Sequence, residues 1–342
     1  MNKIIKWGFI GLGNASNTLS SEFNKLENTK LIAVASKNKD KRETFKKKFK
    51  LSEEKIYDDY EHLIYDKEID LVYIALPNAL HKNICLKALK NNKNILIEKP
   101  IVTNFNEFLE IESLLNKKLI FEEGLAYRFH PFYKKIFLSL NDIDKSEIIS
   151  IKSSFGNDAV GGKKIFGIRL KKINLNKRLF NFNLGGGAIL DGGIYPISII
   201  TDILVDKFNS TNFNFNIISC QKKKLSNKCD IRSSVNLKIN KIDITIETSL
   251  EDNLKNYVEI ITTKGNIIIE NIFHINHKTT IIKNINGAKT ILECLDKNNS
   301  YYYQVKHLSS LIENKTQNNL DFLKNILIKK FNYKLLSEWF YY

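Results

Sequence analysis

Ile4-Ile5-Lys6-Trp7-Gly8-Phe9-Ile10-Gly11-Leu12-Gly13-Asn14-Ala15-Ser16 is the stretch that decides the fold. Ile4 to Ile10 reads as a buried strand, and a helix-like segment follows Ser16 to about Leu26. The turn between them has the form G-x-G-x-x-S. Gly11 permits the tight turn, and Gly13 lets the backbone approach a pyrophosphate. A small residue at Ser16 allows close packing of helix on strand, and a helix start beginning with Asn14 and Ala15 attracts phosphate. This predicts a dinucleotide-binding turn made of Gly11, Gly13, Asn14 and Ala15.

The next strand, Leu31 to Ala35, tests which dinucleotide. A site for NAD places an acid at its end, about 20 residues past the glycines, on the ribose 2′-hydroxyl. Here the strand ends in Ser36-Lys37-Asn38-Lys39, with Lys41 and Arg42 just beyond. The acid is missing and cations stand in its place. We therefore expect NADP rather than NAD, held by Ser36, Lys37 and Lys41; the plain alternative is a lysine-rich surface loop.

Further on, helix-like and strand-like runs alternate. Lys41 to Phe49 is helical, Asp70 to Leu76 is an apolar strand closed by Pro77-Asn78, and His81 opens the next helix. Ile95-Leu96-Ile97 is followed by Glu98-Lys99-Pro100. Such alternation predicts a parallel sheet covered on both faces, with ligands outside the carboxyl ends of its strands. Leu76, Asn78, Glu98 and Lys99 are candidates at that edge. His81 either touches the cofactor or simply starts its helix. A lysine and a glutamate at the mouth of a buried strand are costly unless partnered, and the proline after them stops the strand. We read Lys99 as a catalytic lysine presented there.

Leu119 to Glu122 is a shorter strand that enters Gly124-Leu125-Ala126-Tyr127-Arg128-Phe129-His130-Pro131. We place a domain boundary near Gly124, giving a nucleotide-binding domain over 1–124 and a substrate-binding and dimerisation domain over 125–342, whose C-terminal helices are free to pack back on the first domain. Ile148 to Phe155 starts the second domain as a strand. Ala159 to Leu190 contains five lysines, two arginines and no acid. It runs into Gly185-Gly186-Gly187-Ala188-Ile189-Leu190-Asp191-Gly192-Gly193-Ile194-Tyr195-Pro196. From Ala188 the pattern is helical to about Val205, so Asp191 and Tyr195, at i and i+4, share one face. Gly192 and Gly193 cost about 1 kcal/mol each in a helix, which suggests that something flat comes close. From Asn214 to about Leu295 strand follows strand, with Thr263-Lys264-Gly265-Asn266 as a hairpin turn. This predicts a mostly antiparallel open sheet, packed by one helix on one face and by a partner subunit on the other. Helices Tyr301–Asn314 and Leu320–Phe331 follow. The class is therefore α/β joined to α+β. All four prolines, Pro77, Pro100, Pro131 and Pro196, lie in stretches already singled out.

Bulk composition narrows the function. The chain has 342 residues, a net charge of +16 and a hydrophobic content of 43%. That charge invites a nucleic-acid partner, but Lys, Asn and Ile are abundant throughout, with no basic tail and no aromatic-interleaved basic motif. We expect no nucleic-acid partner. Cys85, Cys220, Cys229 and Cys294 form no C-x-x-C pair, so neither a metal site nor a disulfide framework is indicated. That fits a reducing compartment. No apolar run reads as a membrane span, and the start only faintly imitates a signal peptide. The expected location is cytoplasmic.

Together, Gly11-x-Gly13, Pro77-Asn78-x-x-His81, Glu98-Lys99-Pro100, Tyr127-Arg128-x-His130-Pro131 and Gly185-Gly186-Gly187-x-x-x-Asp191-x-Gly193-x-Tyr195 resemble the Gfo/Idh/MocA oxidoreductase family. Arg178-Leu179-Phe180-Asn181 before the glycines, and Tyr at 195 in place of His, resemble the glucose–fructose oxidoreductase, dihydrodiol dehydrogenase and sugar 3-ketoreductase branch. The resemblance implies a nucleotide-binding domain, an open-sheet domain used for dimers or tetramers, and hydride exchange between nicotinamide and a sugar-like hydroxyl or ketone. It implies Lys99 and Tyr195 as the acid–base pair, with Asp191 orienting Lys99 or substrate, and Tyr127, Arg128 and Arg178 against substrate. Ser198 stands where the family often has a second acid, which argues against an inositol dehydrogenase. The acid-free Ala159–Leu190 stretch favours an anionic sugar such as a nucleotide-sugar. A non-catalytic NADP-binding regulator is the alternative, against which intact Lys99, Asp191 and Tyr195 weigh.

Overall fold

The computed structural model describes residues 3–162, 164–165, 168–169, 172–314 and 319–342. Lys163 of the basic stretch, like residues 166–167 and 170–171, lies outside them. The chain divides into two compact units. The first comprises 1–102, 106–129 and 298–326; the second comprises 103–105, 130–297 and 327–342. The boundary expected near Gly124 falls a few residues later, after Phe129. Residues 125–129 stay with the first unit, and so does a segment from near the end of the chain.

The first unit is built on β1 (Ile5–Ile10), β2 (Thr29–Ala35), β3 (Ile56–Tyr57), β4 (Leu71–Ile74), β5 (Asn94–Ile97) and β6 (Phe121–Glu123). Their order in the sheet is β3-β2-β1-β4-β5-β6, and every pair is parallel. Helices α1 (Asn14–Ser20), α2 (Lys39–Phe49), α3 (Tyr60–Tyr65), α4 (His81–Lys90) and α5 (Phe105–Glu112) fall between them. The strands are apolar on both faces because helices cover both. Order reverses between β1 and β4, which opens a crevice at their carboxyl ends.

The second unit starts with α6 (Pro131–Leu140) and β7 (Ile148–Gly156), then the short hairpin β8 (Lys164–Ile165) and β9 (Ile168–Arg169). Next come α7 (Ile194–Phe208), β10 (Phe215–Lys224), β11 (Asp230–Ile239), β12 (Ile242–Ser249), β13 (Leu254–Thr262), β14 (Gly265–Glu270), β15 (Thr280–Ile285) and β16 (Ala288–Glu293). Apart from the short hairpin, these strands form one eight-stranded sheet in the order β10-β11-β12-β7-β13-β14-β15-β16. Within it only the β12–β7 pair is parallel. Residues alternate between faces along each strand. Val235, Leu237, Ile244, Ile246, Val258, Ile260, Ile267 and Ile269 are buried, whereas Lys152, Thr245, Glu247 and Glu259 point the other way. The apolar stretch Phe182–Phe208 is long enough for a bilayer, yet 89% of its apolar window is buried inside the protein. Its α-helical part, α7, is a core element of this unit.

The chain closes with α8 (Ser300–Asn314) and α9 (Asn319–Tyr341). Val305 and Leu308 of α8 enter the core that also holds Ile5, Trp7, Phe9 and Leu31. The Trp7 Nε1–H donates to Ser309 Oγ at 3.2 Å, and Thr29 Oγ1 donates to the same hydroxyl oxygen at 2.9 Å. Burying such side chains contributes about 1.5–3 kcal/mol apiece, so α8 is an integral layer of the first unit.

Candidate functional site

In the first unit the candidate residues line one edge of the sheet. β1 ends at Gly11, whose φ of +86° suits glycine, and a Cβ there would lie 2.3 Å from the Ala75 carbonyl oxygen. Gly11 therefore excludes a side chain twice over. Gly13 differs. Its φ is −97°, and a Cβ on it would meet nothing within 4 Å. The missing side chain opens space at the start of α1, the cradle that a pyrophosphate needs. Ser16 does more than stay small: its buried Oγ donates to the Gly11 carbonyl at 2.6 Å and closes the turn. Asn14 and Ala15 form the first turn of α1, at the exposed rim of this cradle.

Ser36 sits at the carboxyl end of β2, with its Oγ accepting from the Asn38 N–H at 3.2 Å. Asn38 then caps α2 by accepting from the Lys41 N–H at 2.9 Å, a normal helix start. Lys37 leans on Asp59 at 3.4 Å and over the Tyr60 ring. Such exposed pairs contribute little, so a stronger anion can recruit the lysine. Lys41 is exposed on α2. The cation that turns back to the strand end is Arg42, whose Nη1 donates to the Ser36 carbonyl at 2.5 Å. It was absent from the expected cofactor set. Its signal was its place in the first turn of α2, six residues after Ser36.

At the ends of β4 and β5 two turns lie side by side, since Ile74 pairs with Ile97. Glu98 accepts at its Oε1 from Tyr73 Oη at 2.5 Å, and it packs closely on Gly124, where a Cβ would stand 3.2 Å away. Lys99 follows, half-buried, with a cis bond to Pro100. His81, expected among the cofactor contacts, sits elsewhere. It is fully buried, with Nδ1 2.8 Å from the Pro100 carbonyl oxygen and Nε2 2.9 Å from that of Leu76. The imidazole bridges the Leu76 turn and the Lys99 turn from behind, so we assign it to positioning rather than to cofactor contact. A neutral ring can donate to only one of the two carbonyls. His81→Ala takes the donor from one of these buried carbonyls and opens a cavity between the two turns. Stability should fall by about 2–4 kcal/mol, and kcat should fall more than cofactor affinity. Urea unfolding and NADPH titration check both. Asn78 is buried one turn earlier. Tyr127 is fully buried, which corrects the expectation that it lines a substrate surface; Arg128 beside it is half-buried.

In the second unit the glycine run has its own logic. Gly187 has φ +125°, and a Cβ on it would lie 2.4 Å from Asp230 Oδ1. Asp230 is buried, and its Oδ2 accepts from the Ile189 N–H at 2.8 Å. Burial pushes this carboxyl above its ordinary range, while the Ile189 and Ala188 amides pull against that. Gly186 is packed against the Arg178, Leu179 and Asn181 carbonyls. The segment Ile189–Gly193 is a π-turn leading into α7, a form of helix frequent at functional sites. It presents Asp191 to the Arg178 guanidinium at 3.3 Å and sets Tyr195 against Phe155 (4.8 Å), Phe273 (5.4 Å) and His274 (6.2 Å). The flat object expected beside Gly192 and Gly193 is part of the protein. Gly193 faces the indole of Trp339, and Gly192 faces Thr248 Oγ1. Asp230, Thr248, Trp339 and the aromatic wall were all missed, because nothing in their local sequence separates them from ordinary core residues. Asp230→Ala leaves the Ile189 N–H unmet in a buried site, and stability should fall by roughly 1–3 kcal/mol, read as a shift in the denaturation midpoint.

Residues 5–120 match the model of an oxidoreductase family with an NAD-binding Rossmann fold, Gfo/Idh/MocA. Within that span the chain is similar to the Gfo/Idh/MocA family. That span holds Gly11, Asn78 and Lys99. Trans-1,2-dihydrobenzene-1,2-diol dehydrogenase of Xenopus tropicalis is 29% identical over 199 residues, which are 57% of this chain and 56% of that protein. D-xylose 1-dehydrogenase (NADP(+)) of Hypocrea jecorina is 29% identical over 213 residues, 58% and 53% of the two chains. The match thus spans little more than half the length of these curated relatives. The whole fold is shared with KijD10, a 3-ketoreductase from Actinomadura kijaniata solved with NADP and TDP-benzene: TM-score 0.78, 18% identity, covering 98% of this chain and 96% of that one. The family match covers the sheet edge, and the structural likeness extends the fold across the second unit.

Proposed function

We propose that the protein is an NADP-dependent oxidoreductase that moves hydride between nicotinamide and a hydroxyl or ketone of a sugar or sugar nucleotide. The observation that carries the reading is the alignment of Gly11, Asn78 and Lys99 along one carboxyl edge of a parallel sheet. The names of the relatives agree with it. The backbone of Gly11, Gly13, Asn14 and Ala15 holds the pyrophosphate. Ser36, Lys37 and Arg42 take the 2′-phosphate, with Lys41 nearby in sequence, and Leu76, Asn78 and Glu98 complete the edge. NADP, once bound, accepts or supplies the hydride. Lys99 holds the substrate oxygen by a charge-assisted hydrogen bond, and Tyr195 takes or returns its proton. Asp191, paired with Arg178, orients the substrate. The four free thiols suit the cytoplasm. The outer face of the eight-stranded sheet, with Tyr257 and Ile268 on it, is where we place the contact of a homodimer or homotetramer.

Thermal-shift and turnover assays with NADP+, NAD+, D-glucose, D-xylose and TDP-glucose test the reading. We expect stabilisation by NADP+ and turnover that favours the nucleotide-sugar. Cofactor binding without turnover of any sugar would instead support the regulator. Equal KM values for neutral sugar and TDP-glucose, unchanged when Lys172 and Lys177 are made glutamate, would remove the nucleotide-sugar proposal. Arg42→Ala should raise the KM for NADP+ about tenfold and leave that for NAD+ unchanged. Equal changes for the two cofactors would show that Arg42 does not read the 2′-phosphate.

A further inference from the structure

We infer that Trp339, with Phe340, positions the catalytic tyrosine, so that the end of the chain is a working part of the active site. The inference rests on the reading of Tyr195 as the acid–base residue. Gly193 lies midway between Asp191 and Tyr195. A Cβ on it would stand 2.7 Å from Trp339 Cζ3 and 3.4 Å from Cε3 and Cη2. The Cζ3 corner of the six-membered ring therefore occupies the space that a side chain at 193 would need. The ring itself is fixed. Trp339 is fully buried, its Nε1–H donates to Ser233 Oγ at 3.0 Å, and that hydroxyl donates onward to the Gln221 carbonyl at 3.0 Å. The indole is thereby tied to β10 and β11.

Phe340 extends the strap. Its carbonyl accepts from Lys222 Nζ at 3.0 Å, and its ring stacks on Phe182 at 6.1 Å and 19°. Phe182 lies four residues past Arg178, the partner of Asp191. Trp339 and Phe340 therefore touch both the π-turn and the segment that carries its arginine. From the other side, Gly192 lies on Thr248, whose Oγ1 donates to the Ala188 carbonyl at 3.0 Å. The π-turn is clamped between the sheet and an indole. A π-turn widens the helix by one residue and re-aims the side chains of the next turn, so the direction of Tyr195 depends on both jaws. A misplacement of about 1 Å can cost about a hundredfold in rate.

Gly193→Ala, Trp339→Phe, Trp339→Leu, the double variant Gly193→Ala/Trp339→Leu and Tyr195→Phe are compared with D-glucose, D-xylose and TDP-glucose as substrates. We expect kcat to fall by about tenfold to a hundredfold in Gly193→Ala and Trp339→Leu, with NADPH affinity within twofold of the original. Trp339→Phe should keep the thermal midpoint within a few degrees yet move the pH profile of kcat by half a unit or so. The double variant should recover part of the activity lost in Gly193→Ala, because leucine makes room for the Cβ. Hydrogen exchange needs no turnover: amides of 189–195 should exchange about fivefold or more faster in Trp339→Leu, while those of 5–20 stay unchanged. Additive losses in the double variant, or unchanged exchange and pH profile in Trp339→Phe and Trp339→Leu, overturn the inference. Full activity in Tyr195→Phe instead removes the acid–base reading, and that outcome is separate from the other two.

Discussion

Lys99→Met should abolish turnover, lowering kcat by about a thousandfold or more, while NADPH still binds. Methionine keeps most of the length and apolar stem of lysine but carries no charge. The loss thus isolates the ammonium, and positioned acid–base and oxyanion interactions contribute about 10²–10⁴ in rate. Folding should be preserved. Lys99 is half-buried at a strand end; its neighbour Glu98 is held by Tyr73 and packed by Gly124, and Pro100 by His81. Equilibrium binding of NADPH, followed by its fluorescence, should change less than threefold or so, because the cradle at Gly11 and Gly13 is left intact. Turnover that survives the substitution would remove Lys99 from the chemistry and leave His81 arranging an ordinary strand end.

Gly11→Ala should be the most damaging single methyl in the first unit. The residue has φ +86°, which costs alanine about 1–2 kcal/mol. The new Cβ would also stand 2.3 Å from a backbone oxygen and 2.8 Å from its carbon, and neither can move without shifting β4. A total near 3 kcal/mol lowers the midpoint of thermal unfolding by roughly 6–12 °C. NADP+ should no longer stabilise the variant. Gly13→Ala is the control. With φ −97° and nothing within 4 Å, that methyl fits the folded chain and only fills the cradle. Its midpoint without cofactor should match the original, and its affinity for NADP+ should fall by tenfold or so. If the two variants behaved alike, steric exclusion at Gly11 and open space at Gly13 would not be the distinction that matters.

The fold could be read from the sequence where short patterns suffice. Apolar runs bounded by Gly11, Ser36, Pro77 and Pro100 predict parallel strands and place the edge residues, because each turn is local. Antiparallel strands after Asn214 show themselves by alternation and hairpin turns. The rest depends on contacts between distant residues. Asp230 and Gly187 are 43 positions apart and Gly193 and Trp339 are 146 apart, as their numbers show, and no periodicity links them. The same limit explains His81 and Tyr127. Their types suit a binding surface, and only burial shows that they face inward. Arg42 was passed over in favour of Lys41 because composition cannot say which cation of a helix turns back toward the strand.

The placement of α8 has a consequence for synthesis. The sheet of the first unit is complete by Glu123, yet its core lacks Val305, Leu308 and the hydroxyl that Trp7 meets until residues 300–314 have left the ribosome. At ~5–20 residues per second, that is a wait on the order of ten to forty seconds. The second unit can condense in that interval, with only the last turns of α9 outstanding. The half of the chain that is made first therefore waits for a segment made near the end. A nascent chain arrested between 130 and 297 carries an uncovered apolar sheet face, a surface suited to a chaperone.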